Sequence, residues 1–320
     1  MIETKGLRKS FRSRAGRQAR TVEAVRGVDL AVAEGEVFGF LGPNGAGKTT
    51  TLRMLATLIE PDGGTATIAG ADLLSQPSEV RRRIGYVAQG GSTWDESTAR
   101  EELVLQARMY GLSKADALRR ADRALAAFQL SEYADRKCKT YSGGQRRRVD
   151  IALGIIHEPK VVFLDEPTTG LDPQSRAHMW DEIRRLRGEG MTIFLTTHYL
   201  DEADALCDRV SIMDHGQVVA EGTPAELKRD ISGDVVTVGL AAGTARAGAV
   251  DLLKAESFVR RLEAPDDGAL RLFVEDGATA IPFILRALDG AGIPLGSIEL
   301  HRPSLDDVFL EKTGRSLRES

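Results

Sequence analysis

Apolar and polar residues alternate over residues 2–11 and again over residues 25–32, so both stretches read as strands with one wet face, paired antiparallel. The basic stretch between them, residues 12–20, reads as a loop: a solvated hairpin tip, or a contact for lipid headgroups or a nucleotide. A different pattern marks residues 37–41, 161–164 and 191–197, where apolar side chains run on with little interruption. Strands covered on both faces, as in a parallel sheet, have no polar side to show. Helical spacing appears in residues 51–59 through Leu52, Leu55 and Leu58. It returns over residues 97–128, with Leu103, Ala107 and Tyr110 before a Gly111-Leu112-Ser113 break and Leu118, Ala121, Leu125 and Phe128 after it. Ser113 is placed to cap the second of these helices. Residues 65–69 and 84–89 read as further strands on either side of an amphipathic segment, residues 77–83. The expected class is α/β with a helical insertion.

Past Gly222-Thr223-Pro224 and a short helix over residues 225–228, the composition shifts. Strand patterns over 235–240, 258–262, 270–275 and 295–300 alternate with helical patterns over 245–255 and 279–291. The resulting order, β-α-β-β-α-β, is the ferredoxin-like split motif. A last helix starts at Ser304, its cap, with Asp306 and Asp307 near its positive end. The chain is therefore expected to divide into a domain of residues 1–228 and a smaller α+β domain of residues 229–320. No catalytic constellation stands out in the smaller one, so packing, dimer support or regulation is its expected role.

Composition narrows the function. A chain of 320 residues, 42% apolar and 28% charged, is long enough for about two domains. Its net charge of -4 lacks the basic footprint of a duplex-binding protein, so no nucleic-acid partner is expected. Cys138 and Cys207 have neither metal-ligand nor C-x-x-C spacing, which suits a reducing, cytoplasmic setting. No run approaches the ~20 apolar residues that span a bilayer, so any membrane role is expected to come through a partner.

The candidate chemistry begins at Gly42-Pro43-Asn44-Gly45-Ala46-Gly47-Lys48-Thr49-Thr50, which satisfies the phosphate-loop pattern G-x-x-x-x-G-K-[ST] between an apolar strand and a helix. Its glycines let successive N–H groups turn inward as an anion nest. Lys48 adds a point charge for the β- and γ-phosphates, and the Thr49 hydroxyl is placed to ligate Mg²⁺. A second phosphate-binding device is Ser142-Gly143-Gly144-Gln145, a helix entry whose backbone N–H groups are exposed. A third element is the apolar run 161–164, which ends in Asp165 and Glu166. Ligands sit at the carboxyl ends of parallel strands, so both carboxylates arrive at the edge that holds Lys48. Asp165 suits Mg²⁺, and Glu166 is free to orient and deprotonate a water. His198, directly after the run 191–197, reaches the same edge and is a candidate for the γ-phosphate. Phe11 reads equally as an adenine-stacking aromatic or an ordinary core residue.

As a set, these strings resemble the nucleotide-binding subunit of ABC transporters over residues 2–227. Residues 42–49 match that family's Walker A loop, Gln89 its Q-loop, residues 142–145 its signature, residues 161–166 its Walker B strand, Gly170-Leu171-Asp172 its D-loop and His198 its switch histidine. Phe11 falls where the family keeps an adenine-stacking aromatic, usually Tyr, and Tyr141 precedes the signature where Leu is commonest. The resemblance implies a P-loop ABC-type domain with a mixed sheet core, an antiparallel β subdomain and a helical signature subdomain. It implies ATP as substrate, Mg²⁺ held through Thr49, Asp165 and Gln89, and catalysis by Glu166 with Lys48, Gln89 and His198. It further implies a head-to-tail homodimer in which Ser142, Gly143 and Gly144 bind the opposite ATP and Asp172 communicates across the seam. Residues 90–95 fall where the family faces a separate membrane permease, which would put the chain at the cytoplasmic face of the membrane. Residues 303–314 resemble the C-terminal extension of daunorubicin-resistance-type ATPases, implying efflux of a drug-like or lipid-like compound. A soluble ABC-type ATPase acting on ribosomes or nucleic acid would share the ATP motifs, but the translation type usually carries two cassettes and a basic linker. A P-loop GTPase would need an Asn-Lys-x-Asp string, and Ser113-Lys114-Ala115-Asp116 lacks the Asn.

Overall fold

In the computed structural model, which describes residues 1–15, 18–231, 233–241, 246–264 and 269–314, the chain opens with a long antiparallel hairpin, β1 (Ile2–Ala15) and β2 (Gln18–Val32). The strands run on through most of the basic stretch expected to be a loop, pairing Arg12 with Thr21 and Ala15 with Gln18. That expectation is corrected for the backbone, while Gly16 and Arg17 lie outside the described residues. Next come β3 (Val37–Leu41), α1 (Lys48–Leu55), β4 (Gly63–Ile68), β5 (Ala71–Asp72), α2 (Pro77–Arg83) and β6 (Ile84–Val87). The first helix starts three residues earlier than its apolar spacing suggests, at the loop lysine itself, and Ala88 and Gln89 fall beyond the end of β6.

The helical insertion is α3 (Ala99–Met109) and α4 (Lys114–Ala127). Thr98 caps the first in a capping box with Glu101, and Ser113 caps the second through Asp116 N, as expected. Then follow α5 (Gly143–Ile155), β7 (Val161–Asp165), α6 (Pro173–Gly188), β8 (Thr192–Thr197), α7 (Leu200–Leu206), β9 (Arg209–Asp214) and β10 (Gln217–Gly222). Two sheets result, one ordered β2-β1-β4-β5 and one ordered β10-β9-β3-β8-β7-β6, in which the run from β9 to β6 is parallel. The apolar strands β3, β7 and β8 are buried along their whole length. Their rings explain why no polar alternation shows: Phe194 of β8 stands 5.5 Å from Phe38 and 5.6 Å from both Phe40 and Phe163. Each such ring contributes about 1.5–3 kcal/mol by burial, and together they fix the strand ends that carry the site. Both cysteines, Cys138 and Cys207, are free and buried.

By contacts the chain separates into Met1–Glu221 and Gly222–Glu319. A boundary after residue 228 would cut α8 (Pro224–Ile231), which packs against the last helix of the second unit. That unit continues with β11 (Asp234–Leu240), α9 (Arg246–Lys254), β12 (Val259–Glu263), β13 (Ala269–Val274), α10 (Gly277–Gly290), β14 (Leu295–His301) and α11 (Leu305–Thr313). Ala245, the expected first residue of α9, lies outside the described residues. The sheet order β12-β13-β11-β14, with every neighbour antiparallel, is the ferredoxin-like arrangement expected from the element order. Val236, Val238, Leu270, Leu272, Ile284 and Leu288 form its core, and Ser304 caps α11 in a capping box with Asp307.

Candidate functional site

Leaving β3, the chain turns through Gly42–Gly47 with Asn44 and Gly45 exposed at the tip, then enters α1. Gly47 has φ +108, and a Cβ there would lie 2.3 Å from Ala24 O, so only glycine fits against β2. Lys48 is 4% exposed and donates to Gly42 O at 2.7 Å and Pro43 O at 3.0 Å. Burial holds its ammonium below the ordinary lysine value, with Glu166 and Asp165 pulling the other way. Thr49 Oγ1 donates to Asp165 Oδ1 at 3.0 Å, joining the loop to the end of β7, and Thr196 Oγ1 of β8 donates to the same oxygen at 2.7 Å.

Glu166 follows in a left-handed conformation, φ +45, that a non-glycine residue adopts at a cost of about 1–3 kcal/mol. Two bonds from its backbone N–H hold it there, to Thr196 O and Thr196 Oγ1, both at 3.1 Å. The turn aims the carboxylate at the phosphate loop. Gln89 Nε2 donates to Glu166 Oε2 at 2.9 Å, and Thr169 Oγ1 donates to the same oxygen at 3.0 Å. Lys48 Nζ stands 3.9 Å from Oε1. His198 Nδ1 lies 3.3 Å from Oε2, inside ion-pair distance although its angles fall short of a hydrogen bond. Proximity to His198, with smaller help from Lys48 and Thr169, holds the Glu166 carboxyl below its ordinary value against the opposing effect of burial. A carboxylate kept ionised and ringed by donors is equipped to accept a proton.

Sequence reasoning therefore brought Lys48, Thr49, Asp165, Glu166, Gln89 and His198 to one place, and the structure assembles all six. The Gln89 amide is engaged with Glu166 through Nε2. Ser142 and Gln145 hydrogen bond to each other in a capping box at the start of α5. Ser142 and Gly143 are exposed there, and Gly144 packs close to Ser175. Asp172 caps α6 through Ser175 N at 2.8 Å and Ser175 Oγ at 2.7 Å. Phe11 is 44% exposed with Lys9 Nζ 5.9 Å from its ring centre, so it is not a core residue of this unit. Thr196 and Thr169 were missed because a threonine beside a carboxylate leaves no pattern in a sequence. Arg147 was missed because it stands in a run of three arginines; it is buried, unlike Arg146, which pairs with Asp95.

A phosphate loop with a buried lysine and a pair of strand-end carboxylates facing it on one α/β scaffold are the working parts of an ATP-hydrolysing cassette. Residues 25–169 match the ABC transporter family, and residues 222–313 match the C-terminal domain of DrrA1-3-like ATP-binding proteins. The chain is 46% identical to the daunorubicin/doxorubicin resistance ATP-binding protein DrrA of Streptomyces peucetius, over 98% of this chain and 92% of that one. It is 32% identical to the linearmycin resistance ATP-binding protein LnrL of Bacillus subtilis over 100% of both. It is 38% identical to the Nod factor export ATP-binding protein I of Ralstonia nicotianae, over 100% of this chain and 95% of that one. Among solved structures, an ATP-binding cassette in a dimeric post-hydrolysis state with ADP and Pi matches at TM-score 0.62 and 27% identity, over 70% of this chain and 98% of its own. The chain belongs to the ABC transporter ATP-binding subunits, in the daunorubicin-resistance branch of that family, and it is an ATPase. Among the described residues, no helix is long and apolar enough to cross a membrane.

Proposed function

We propose that this chain is the ATP-hydrolysing subunit of an exporter that moves a drug-like or lipid-like compound through a separate membrane permease. The observation that carries the hydrolytic part is the Glu166 carboxylate, aimed by a left-handed turn at the phosphate loop and surrounded by Gln89, Thr169, His198 and Lys48. Glu166 takes the proton of the attacking water, Gln89 and Thr169 fix the carboxylate's direction, and His198 keeps Nε2 for the γ-phosphate. Lys48 leaves the Gly42 and Pro43 carbonyls for the phosphates.

Mg²⁺ fits the residues present. The Thr49 hydroxyl and Asp165 Oδ1 stand 3.0 Å apart, about the edge of an octahedron with bonds near 2.1 Å. When bound, the ion neutralises charge on the phosphate oxygens.

The exposed Ser142-Gly143 turn supports a head-to-tail homodimer. Ser142 Oγ accepts from Gln145 N, so its own O–H is left to donate to a phosphate on a second copy, and Asp172 stands at the same seam. For the permease, the supporting surface is apolar and wet: Trp94 is 73% exposed, Leu105 and Met109 of α3 are exposed, and Tyr110, just past α3, is exposed and lines a cavity of about 240 Å³ with Tyr86, Gln106 and His157. On this reading a membrane protein's cytoplasmic helix covers it, and the chain works at the cytoplasmic face of the membrane. The names of the relatives, which concern resistance to daunorubicin, doxorubicin and linearmycin and export of Nod factor, support an amphiphilic cargo. The reading on ribosomes or nucleic acid has only the shared ATP motifs behind it, against a net charge of -4.

Glu166→Gln tests the hydrolytic assignment. It should keep ATP affinity, lose turnover by about 100-fold or more, and accumulate a nucleotide-bound dimer on a sizing column. Turnover at the wild-type rate would overturn the assignment of the base.

A further inference from the structure

From the signature helix α5, two buried charged side chains that the chemistry above does not use reach back to the catalytic strand ends. Arg147, 6% exposed, turns all three guanidinium nitrogens to main-chain carbonyls. Nη1 donates to Ala88 O at 2.6 Å, Nε to Pro167 O at 2.8 Å and Nη2 to Asp165 O at 3.0 Å. Three residues on, and so on the same helix face, Asp150 Oδ1 accepts from Ser92 N at 2.8 Å and Ser92 Oγ at 3.2 Å. Gly91 has φ +74, and a Cβ there would lie 2.9 Å from Asp150 Oδ2, so only glycine lets the loop close on the carboxylate. Gln89 sits between the two anchored points, Ala88 and Ser92.

A buried guanidinium with no directly paired carboxylate is an expensive way to fill space, and an apolar residue of similar volume is often as stable. What the charge supplies is geometry: a rigid fork whose donors fix three carbonyls at once. Those carbonyls belong to the residue before Gln89, the residue before Glu166 and the residue after it.

We infer that Arg147 and Asp150 are positioning residues that clamp residues 88–92 and the end of β7 to the signature helix, so that the Gln89–Glu166 contact is set by where Ser142 stands. Ser142 and Arg147 are separated by about 7.5 Å along the helix axis, less than one and a half turns, so a shift of the Ser142-Gly143 turn reaches the Ala88 and Asp165 carbonyls with no flexible link between. The inference rests on the roles proposed above for Gln89 and Glu166.

The test is a double-mutant cycle on the full-length chain. Arg147→Lys keeps the charge and loses the fork; it should lower kcat about 10-fold, because misplacing a catalytic group by even a fraction of an ångström is costly. KM for ATP should stay within about 2-fold, since the phosphate loop is untouched. Gln89→Ala alone should slow turnover, and adding Arg147→Lys to it should cost less than about 2-fold more, because both changes break one contact. Asp150→Asn keeps the acceptor for Ser92 and should turn over at close to the wild-type rate, whereas Asp150→Ala should not. Independently of turnover, and of whether Arg147→Lys folds, the Ser92 amide should exchange hydrogen faster in Asp150→Ala while the amides of α1 do not. Wild-type turnover in Gln89→Ala would overturn the reading of the site itself. A slow Gln89→Ala whose loss multiplies in full with that of Arg147→Lys, or unchanged Ser92 exchange in Asp150→Ala, would overturn the clamp alone.

Discussion

In the first unit Lys48, Arg147, Asp150, Asp165, Glu166, Glu182 and Glu202 are each at most 8% exposed, whereas among the described residues of the second unit no charged side chain is buried. Among the described residues the second unit buries only apolar side chains in its core, chiefly Val, Leu, Ile and Ala with Phe309, and Val236, Leu272 and Ile284 are fully out of water. Nothing in a ferredoxin-like sheet requires an ion inside it, and a desolvated charge costs several kcal/mol unless it is well paired. The contrast teaches where to look for chemistry. Lys48, Asp165 and Glu166 converge on the phosphate loop, Arg147 and Asp150 bond to residues flanking Gln89 and Glu166, and Glu182 pairs with Arg185 at 3.0 Å on helix α6.

Three perturbations sharpen that contrast. The largest effect is expected from Lys48→Ala, which removes the buried cation: ATP affinity and turnover should each fall about 100-fold or more, measured by equilibrium binding and phosphate release. Retained affinity would break the link between buried charge and nucleotide. Leu272→Ala should show the opposite behaviour. It should cost the second unit about 2–5 kcal/mol, visible as an earlier melting transition, with ATP affinity unchanged; a matching loss of ATP binding would show that the accessory core does more than support itself.

The smallest effect concerns Glu202, which is 0% exposed and accepts from Trp180 Nε1 at 3.4 Å. Burial raises its carboxyl above the ordinary glutamate value of 4.5, so the folded state keeps a proton that the unfolded chain releases. Stability therefore falls as pH rises from 4.5 toward the folded value. Glu202→Gln removes that penalty. Its melting temperature at pH 7.5 should exceed the wild type by on the order of 2 °C, with the gap closing as pH drops through 4.5. A variant that melts lower at neutral pH would mean that the carboxylate is ionised and paired.

Much of this was legible in the chain. The phosphate loop, the Asp165-Glu166 pair and the signature are short strings whose chemistry is local, and the β-α-β-β-α-β order of the second unit follows from periodicity alone. What escaped has physical causes. The strands that continue β1 and β2 through residues 12–15 and 18–20 carry a charged and small-residue sequence with no apolar face to alternate, so hairpin pairing there is invisible to patterning. β9 and β10 went unread although Val210, Ile212 and Met213 are buried. The Gln89–Glu166 contact joins residues 77 positions apart and exists only because β6 and β7 are neighbours. Arg147 and Asp150 are the instructive miss: polar residues at i and i+3 on a helix whose neighbours Val149, Ile151, Ala152 and Leu153 are buried cannot both face water. That spacing was a signal in plain sight.

The two native thiols carry a practical consequence. Burial pushes the Cys138 thiol up to about 11 and the Cys207 thiol well above its ordinary value, so at neutral pH neither offers the thiolate that alkylating dyes attack. A fluorophore introduced through Trp94→Cys would then be the sole label on an otherwise unmodified molecule, and its emission would report directly on whether that face becomes covered when a lipid-embedded assembly is reconstituted around it.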